Sequence, residues 1–462
     1  MIYEHLFENA AHPPVKAGLI GTGTYGMSLF SQSQAISRLE IPVICDQDLD
    51  AAHRACQEAG IPPENIAICH SRSDALQAME RGKYAVIEDY ILLMDLPLEV
   101  IIECTGHPEA GARHVESAIQ HGKHVAMVNK ETDSVIGPLL HARAAQAGVV
   151  YTPVEGDQHG LLIGLVSWAR TLGLEVICGG KARARDFVYD EAQATVTDGV
   201  TTATLTPDEM QRLREIPTGK TAHVVKIRRK MLHTLPQIAE GDLCESVVAA
   251  NATGLIADTP TLHAPIVRTT EIPEVLCPRA EGGILDRTGT IDVITCLRRP
   301  DEAGLAGGVF LVFACKNAYA WEFLQEKGII ANRQGTCGLI YRPYHLLGVE
   351  TPISVLCAGL LHVSTGGITV QPIKDLVARA ACDLRAGSSV QVVGADGRVL
   401  LEPLMIPAVS IGEGTPLPLY MAVGNRLKQN VAAGTILTHD MIAPPSDSRL
   451  WTLRAEQDQP MG

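Results

Sequence analysis

The chain has 462 residues, of which 46% are hydrophobic and 19% charged, and a formal net charge of −14. That length exceeds one compact domain and implies two or three. An acidic chain without a basic tract excludes nucleic acid and anionic membranes as partners, because both repel it.

The stretch from Met1 to Pro14 carries Glu4, His5, Glu8 and His12 and has no apolar core, so no signal peptide is expected. Val15 to Ile20 reads as a strand entering a glycine turn, with a helical pattern to about Leu39. Ile41 to Cys45 reads as a second strand, followed by Asp46 and a polar helix from about Asp48 to Gly60. Val100 to Cys104 is a further strand, then comes Thr105-Gly106 and a helix to about Gly122. His124 to Val128 (strand), Ser134 to Ala147 (helix) and Val149 to Pro153 (strand) complete the first part. This alternation predicts βαβ units on a parallel sheet, a doubly wound Rossmann domain over residues 1–154.

Residues 155–365 change texture. Strand runs (Leu174 to Cys178, Thr290 to Leu297, Gly308 to Ala314) mix with a helical run, Asp242 to Ala250, and predict an α+β catalytic and dimerisation domain. Arg342 to Leu361 reads as an apolar helix returning to the first domain. Residues 366–462 follow a Gly366-Gly367 break and read as a small β-rich domain. Two of its segments echo each other, Ala380 to Ser388 and Arg426 to Leu437, each with an Ala-Gly turn. Val166 to Val176 is interrupted by Arg170 and too short to span a bilayer. Twelve cysteines without a Cys-x-x-Cys pair predict buried thiols in a reducing compartment, and hence a cytoplasmic protein.

Gly21-Thr22-Gly23-Thr24-Tyr25-Gly26 follows a predicted strand and opens a predicted helix. Gly21 permits the tight turn, Gly23 lets backbone approach a pyrophosphate, and Gly26 lets the helix pack on the strand. Helix N-terminal amides favour phosphate. Asp46, twenty residues after Gly26, is placed to bind ribose hydroxyls and to repel a 2′-phosphate, which favours NAD. Arg54 further on keeps NADP open. The expected cofactor-binding residues are Gly21, Gly23, Thr24, Tyr25, Gly26, Asp46, Thr105, Gly106 and Asn129. His107 beside them reads as a helix cap.

Strand ends are where open α/β sheets build sites. Lys130, in Asn129-Lys130-Glu131, is placed to hold a carbonyl or phosphate oxygen, to shuttle a proton, or simply to stand as a solvated loop lysine. Glu155 and Asp157, in Glu155-Gly156-Asp157-Gln158-His159, suit one hard cation, an acid/base pair, or simply a helix N-terminus. Arg183, Arg185, Arg228, Arg229 and Lys230 are basic steps suited to a phosphate or to a solvated face. His345 is suited to a phosphate, a sugar hydroxyl or a structural role.

Val128-Asn129-Lys130-Glu131-Thr132 followed by Glu155-Gly156-Asp157-Gln158-His159 resembles the Asn-Lys-Glu-Ser and Asp-Ser-Glu-His segments of 1-deoxy-D-xylulose 5-phosphate reductoisomerase. The Asn-Lys step is also similar to the Thr-Ala-Asn-Lys element of homoserine dehydrogenase. With Asn251-Ala252-Thr253-Gly254-Leu255, Arg342-Pro343-Tyr344-His345-Leu346 and a C-terminal region similar to the SAF (β-clip) module over about Thr369 to Pro445, the whole layout resembles the homoserine-dehydrogenase-like or reductoisomerase-like SAF-domain oxidoreductases. The resemblance implies an oxidoreductase acting on CH–OH donors with NADP or NAD. Some members of the group catalyse the NADPH-dependent reductoisomerase step of isoprenoid biosynthesis.

It also implies a divalent cation, Mg or Mn, held by Glu155, Asp157 and a third acid among Glu240, Asp242 and Glu245, with Glu245 taken as that ligand. The order Glu155-x-Asp157 reverses the reductoisomerase's Asp-x-Glu. The run Glu240 to Glu245 holds acids but no lysine, which leaves Lys181 as the replacement cation. The expected catalytic residues are therefore Lys130, Glu155, Asp157 and Lys181, acting on a small polar hydroxy or keto compound in a homodimer or higher homo-oligomer. A non-catalytic dinucleotide sensor is the alternative from another class.

Overall fold

The computed structural model describes residues 2–8 and 12–459; residues 1 and 9–11 of the leading stretch and 460–462 lie outside the described part. Seven parallel strands form the first sheet: β1 (Val15–Ile20), β2 (Leu39–Cys45), β3 (Ile66–Ile68), β4 (Tyr84–Ile87), β5 (Val100–Glu103), β6 (His124–Met127) and β7 (Tyr151–Pro153). Their order is β3-β4-β2-β1-β5-β6-β7. β1 pairs with both β2 and β5, so the strand order reverses there and leaves a crevice at the carboxyl ends of β1 and β5. Burial on both faces explains the near-continuous apolar runs Leu39–Cys45 and Val100–Ile102. The protein is thus α/β, with a Rossmann-like parallel sheet, a second mixed sheet and small antiparallel pairs towards the C-terminus.

β3 and β4 have no counterpart in the sequence expectation; at three and four residues they are too short to show a period. The helix predicted from Ser134 starts at Lys130 and runs to Gln146. Asn129 is its cap, accepting from the Thr132 amide at 3.0 Å, which draws Lys130 and Glu131 into the first turn.

The second sheet is built on Thr290–Arg298, parallel to Glu175–Ala182 along one edge, and Val309–Ala314 runs antiparallel to Glu175–Ala182. The helix Gln158–Thr171 leads into it from β7, and the helix Glu240–Thr253 packs against both that helix and Lys130–Gln146. Arg342–Leu361 is not one helix. Arg342 ends the strand Gly338–Arg342, a turn follows with Gly348 at φ +74°, and helix resumes at Thr351–Leu356. Pro343 breaks the run that its apolar composition suggested, and Pro352 stands in the first turn of the resumed helix, where its missing amide costs no hydrogen bond. Its second half does return to the first sheet: Val355, Leu356 and Ala358 share a core with Val15 and Leu19.

Towards the C-terminus, Lys374–Ala380 pairs with Leu401–Pro407 and Arg426–Leu427 with Ile442–Ala443. The two echoing segments lie against each other, Leu384 and Val431 exchanging backbone hydrogen bonds at 2.8 and 2.9 Å. Among the described residues no helix is long and apolar enough to cross a membrane.

Candidate active site

The glycine loop leaves β1 through Gly21, whose φ of +95° lies in the left-handed region. A Cβ on Gly26 would stand 2.2 Å from the Gly21 carbonyl oxygen, so the helix Thr24–Ser33 meets the strand closely only because that side chain is absent. A Cβ on Gly23 would meet nothing within 4 Å, and no side chain caps this helix. The first amides therefore face open space, as a diphosphate requires. Asp46 follows β2 and lies beside the loop: its Oδ2 accepts from the Thr22 amide at 2.9 Å and the Thr22 hydroxyl at 2.7 Å. The carboxylate expected to read the ribose is thus fixed by the glycine loop expected to hold the phosphates, and these residues fit a nicotinamide dinucleotide. Arg54 reaches Asp48 instead, at 4.0 Å, with both side chains largely exposed.

Of the other expected cofactor residues, Thr24 is exposed on the first turn. The Tyr25 hydroxyl bonds Thr351 Oγ1 at 2.7 Å, tying the loop helix to the segment returning from the second sheet. Thr105 donates to buried Glu103. The Asn129 amide donates to Thr105 Oγ1 at 3.2 Å and to the His107 carbonyl at 3.1 Å. Asn129 is itself buried, so it positions the Thr105–Gly106 step above the crevice.

Beside that step the two sheets bring charged side chains together. The Lys130 ammonium bonds Glu245 Oε1 and lies 3.7 Å from Asp157 Oδ2. Lys181, on Glu175–Ala182, bonds Glu245 Oε2 and Asp242 Oδ1, the latter at 3.0 Å. Arg183 reaches Asp242 Oδ2 at 3.2 Å. Three cations and three carboxylates thus alternate, and Lys130, with 23% of its side chain exposed, is the member open to a ligand. Burial alone favours the neutral amine, but Glu245 and then Asp157 overcome it and hold Lys130 protonated beyond the usual lysine range. Asp157 resists its own burial through Lys130, His159 and the Gln158 amide and stays ionised well below the usual carboxylate range.

His159 was not singled out by its sequence. It is buried beside Asp157, Nδ1 to Oδ2 3.8 Å, and neither ring nitrogen has a hydrogen-bond partner among the described residues. Its signal was its place two residues after Asp157 at the start of a helix.

Glu155 does not join this cluster. The Gly156 turn, at φ +91°, sends the two acids apart. Glu155 lines a separate cavity of about 1130 Å³ with Gly164 and Arg170, and burial and the Glu350 charge raise its proton affinity. The expected cation set of Glu155, Asp157 and Glu245 is therefore not assembled. Among the described residues no three His, Cys, Asp or Glu side chains converge for a metal, and the acids at the site are matched to ammonium and guanidinium groups. The residues present do not fit Mg or Mn. The basic steps disperse as well: Arg228 is buried against Glu271, Arg229 donates to the His263 carbonyl, and His345 Nδ1 meets the Gly307 carbonyl at 2.6 Å.

Residues 17–153 match the family model for the NAD-binding domain of homoserine dehydrogenase, and residues 156–351 that for the catalytic domain of oxidoreductase DRL. No curated protein matches the chain. Solved structures similar to it include an oxidoreductase domain protein from Kribbella flavida (17% identity, 48% of this chain and 55% of that one, TM-score 0.29). Others are 1-deoxy-D-xylulose 5-phosphate reductoisomerase from Zymomonas mobilis in complex with NADPH (17%, 48% and 59%, 0.28) and myo-inositol dehydrogenase from Lactobacillus casei with NAD(H) and myo-inositol (16%, 39% and 50%, 0.28). The chain spans between half and three-fifths of the length of these structures. Two family models thus match in succession along the chain, an NAD-binding one and an oxidoreductase catalytic one.

Proposed function

We propose that the protein is an NAD(P)-dependent oxidoreductase that interconverts a carbonyl and a carbinol in a small polar hydroxy or keto compound, with NAD(H) preferred. The observation that carries this reading is Lys130, held protonated by Glu245 and Asp157 yet partly exposed beside the Thr105–Gly106 step. The bound nicotinamide supplies or takes up the hydride at the substrate carbon. In reduction, Lys130 hydrogen-bonds the carbonyl oxygen, gives it a proton as negative charge develops there, and is reprotonated from solvent through its exposed edge; in oxidation the ammonium first releases a proton to solvent and the neutral amine then takes the carbinol proton. Glu245 and Asp157 keep the ammonium aimed and charged, and Lys181 fixes the far oxygen of Glu245. Asp46 selects the cofactor through its ribose hydroxyls.

Reductoisomerase chemistry on deoxyxylulose phosphate is a narrower version of this proposal; it requires a phosphorylated substrate. Purified full-length protein with NADH or NADPH and a panel of hydroxyketones, aldehydes and hydroxy acids tests the class. Turnover that Lys130→Met abolishes while cofactor affinity is kept supports it; cofactor binding with no turnover of any compound overturns it in favour of a dinucleotide sensor.

A further inference from the structure

A cavity of about 520 Å³ lies between the turn after β5, at Gly106 and Pro108, and the C-terminal residues Tyr420, Val423 and Trp451. That volume suits a small molecule. Glu131, the residue after Lys130, lines it too. Tyr420 comes from the short helix Leu419–Ala422, and its hydroxyl lies against the Cys244 thiol. That thiol in turn reaches the Lys130 carbonyl oxygen at 3.3 Å. The cavity is thus continuous with the lysine helix, and one wall belongs to the C-terminal region.

Its charges favour a particular class of occupant. Arg113 is the one lysine or arginine lining the cavity, and it is already matched to Glu109 at 2.9 Å and Asp447 at 3.6 Å. Glu109 also accepts from Ser448 Oγ at 2.6 Å and the Arg449 amide at 2.7 Å, which fastens it to the cap of the helix Arg449–Gln457. Glu131 is engaged by its own backbone amide, with no cation in ion-pair contact among the described residues. The alternating cluster beside it, three cations against three carboxylates, offers no surplus positive charge. A phosphate ester entering here loses hydration and finds no free cation. A neutral compound with several hydroxyls donates to Glu131 and to the Tyr420 oxygen, whose own proton is directed at Cys244.

We propose that this cavity holds the part of the substrate remote from the reacting carbon, and that it selects an uncharged polyhydroxylated compound over a phosphate ester, with Glu131 and the C-terminal Tyr420 as specificity-determining residues. The proposal rests on the oxidoreductase reading above. The test uses full-length protein at saturating cofactor, with four- to six-carbon polyols and hydroxyketones and the monophosphate esters of the same compounds. Expected are at least a tenfold higher kcat/KM for the unphosphorylated members, a KM raised about tenfold by Tyr420→Phe with kcat within about twofold, and a kcat/KM ratio moved towards the phosphate esters by Val423→Lys. A wild-type preference for phosphate esters overturns the proposal. So does an unchanged KM in Tyr420→Phe when Lys130→Met abolishes turnover, and in both cases the oxidoreductase reading stands. A panel that neither turns over nor shifts the melting temperature of the cofactor-loaded protein sinks both.

Discussion

Replacing Glu245 by glutamine removes a carboxylate that two ammonium groups share, the partly exposed Lys130 and the buried Lys181. At about 4 Å, unit charges near a protein surface attract by about 4 kcal/mol. Lys130 keeps Asp157 at 3.7 Å and Lys181 keeps Asp242 at 3.0 Å, so each lysine loses part of its support and not all of it. Breaking a buried pair costs about 3–5 kcal/mol. The retained partners place this variant at the lower end, about 3 kcal/mol, or a melting temperature lower by about 6–12 °C for a domain of this size. The second effect is chemical. Glu245 keeps the proton on Lys130, so its loss lets neutral amine appear at lower pH. Reductive methylation across about pH 7 to 10, mapped by mass spectrometry, reads this directly, because only the neutral amine reacts. Lys181, almost wholly enclosed, serves as the internal unreactive control. The variant is expected to label at Lys130 at least about tenfold faster near pH 9, where the wild type stays protected. Equal labelling in both proteins, with unchanged melting, refutes the assignment of Glu245 as the group that holds this proton.

Gly26→Ala sets a methyl group against the Gly21 carbonyl, and relieving the 2.2 Å approach moves the helix end by about 1 Å; calorimetry should show NAD(H) affinity weakened about tenfold or more. Asp46→Ser removes the charge facing a 2′-phosphate, so the ratio of NADP(H) to NAD(H) affinity should rise at least about tenfold in competitive titrations. Asp133, buried and hydrogen-bonded by Tyr151, has its carboxyl pushed up to about 7 by burial, against about 3.9 in the unfolded chain. The folded state binds the proton more tightly, so stability declines as pH rises from about 4 to about 7, by up to about 4 kcal/mol. Asp133→Asn should flatten that decline in denaturant titrations, melting above wild type at pH 8 and not at pH 4.

The glycine loop and Asp46 were legible because their pattern is local: the turn, the close approach and the acid at the next strand end all fall within 26 residues. Lys130 was legible as a strand-end lysine, since β6 is an apolar run with a sharp end. What holds Lys130 was not, because Glu245 lies 115 positions along the chain and only the packing of two helices brings it there. The pairing of Glu155 with Asp157 failed for a backbone reason. Two acids separated by one residue share a face only in a strand, and Gly156 leaves the extended conformation. The echo between Ala380–Ser388 and Arg426–Leu437 was visible as a repeat, whereas its meaning, two segments lying side by side, needed the pairing of Leu384 with Val431.

Tyr420 had no local signal at all, and what makes its position dependable is the way the C-terminal region is fastened. The helix Arg449–Gln457 lies across Pro108–Gln120 and Lys130–Gln146, the two helices that begin at the crevice. Gln457 accepts from the Leu139 amide and donates to the Val135 carbonyl, both at 3.1 Å; proline at 138 leaves the helix ladder short at this turn, and the glutamine satisfies groups within it. Arg454, almost fully buried, grips Asp375 through two bonds of 2.7 Å and Asp458 through one of 2.9 Å. Asp375 belongs to the strand paired with Leu401–Pro407, so this bidentate pair links the terminal helix to the small antiparallel sheet. A wall anchored from both sides is formed before any ligand arrives, so its contacts act on which molecule fits and not on whether the pocket exists. A region that contributes no residue to the dinucleotide loop is in this way set to govern what stands beside Lys130.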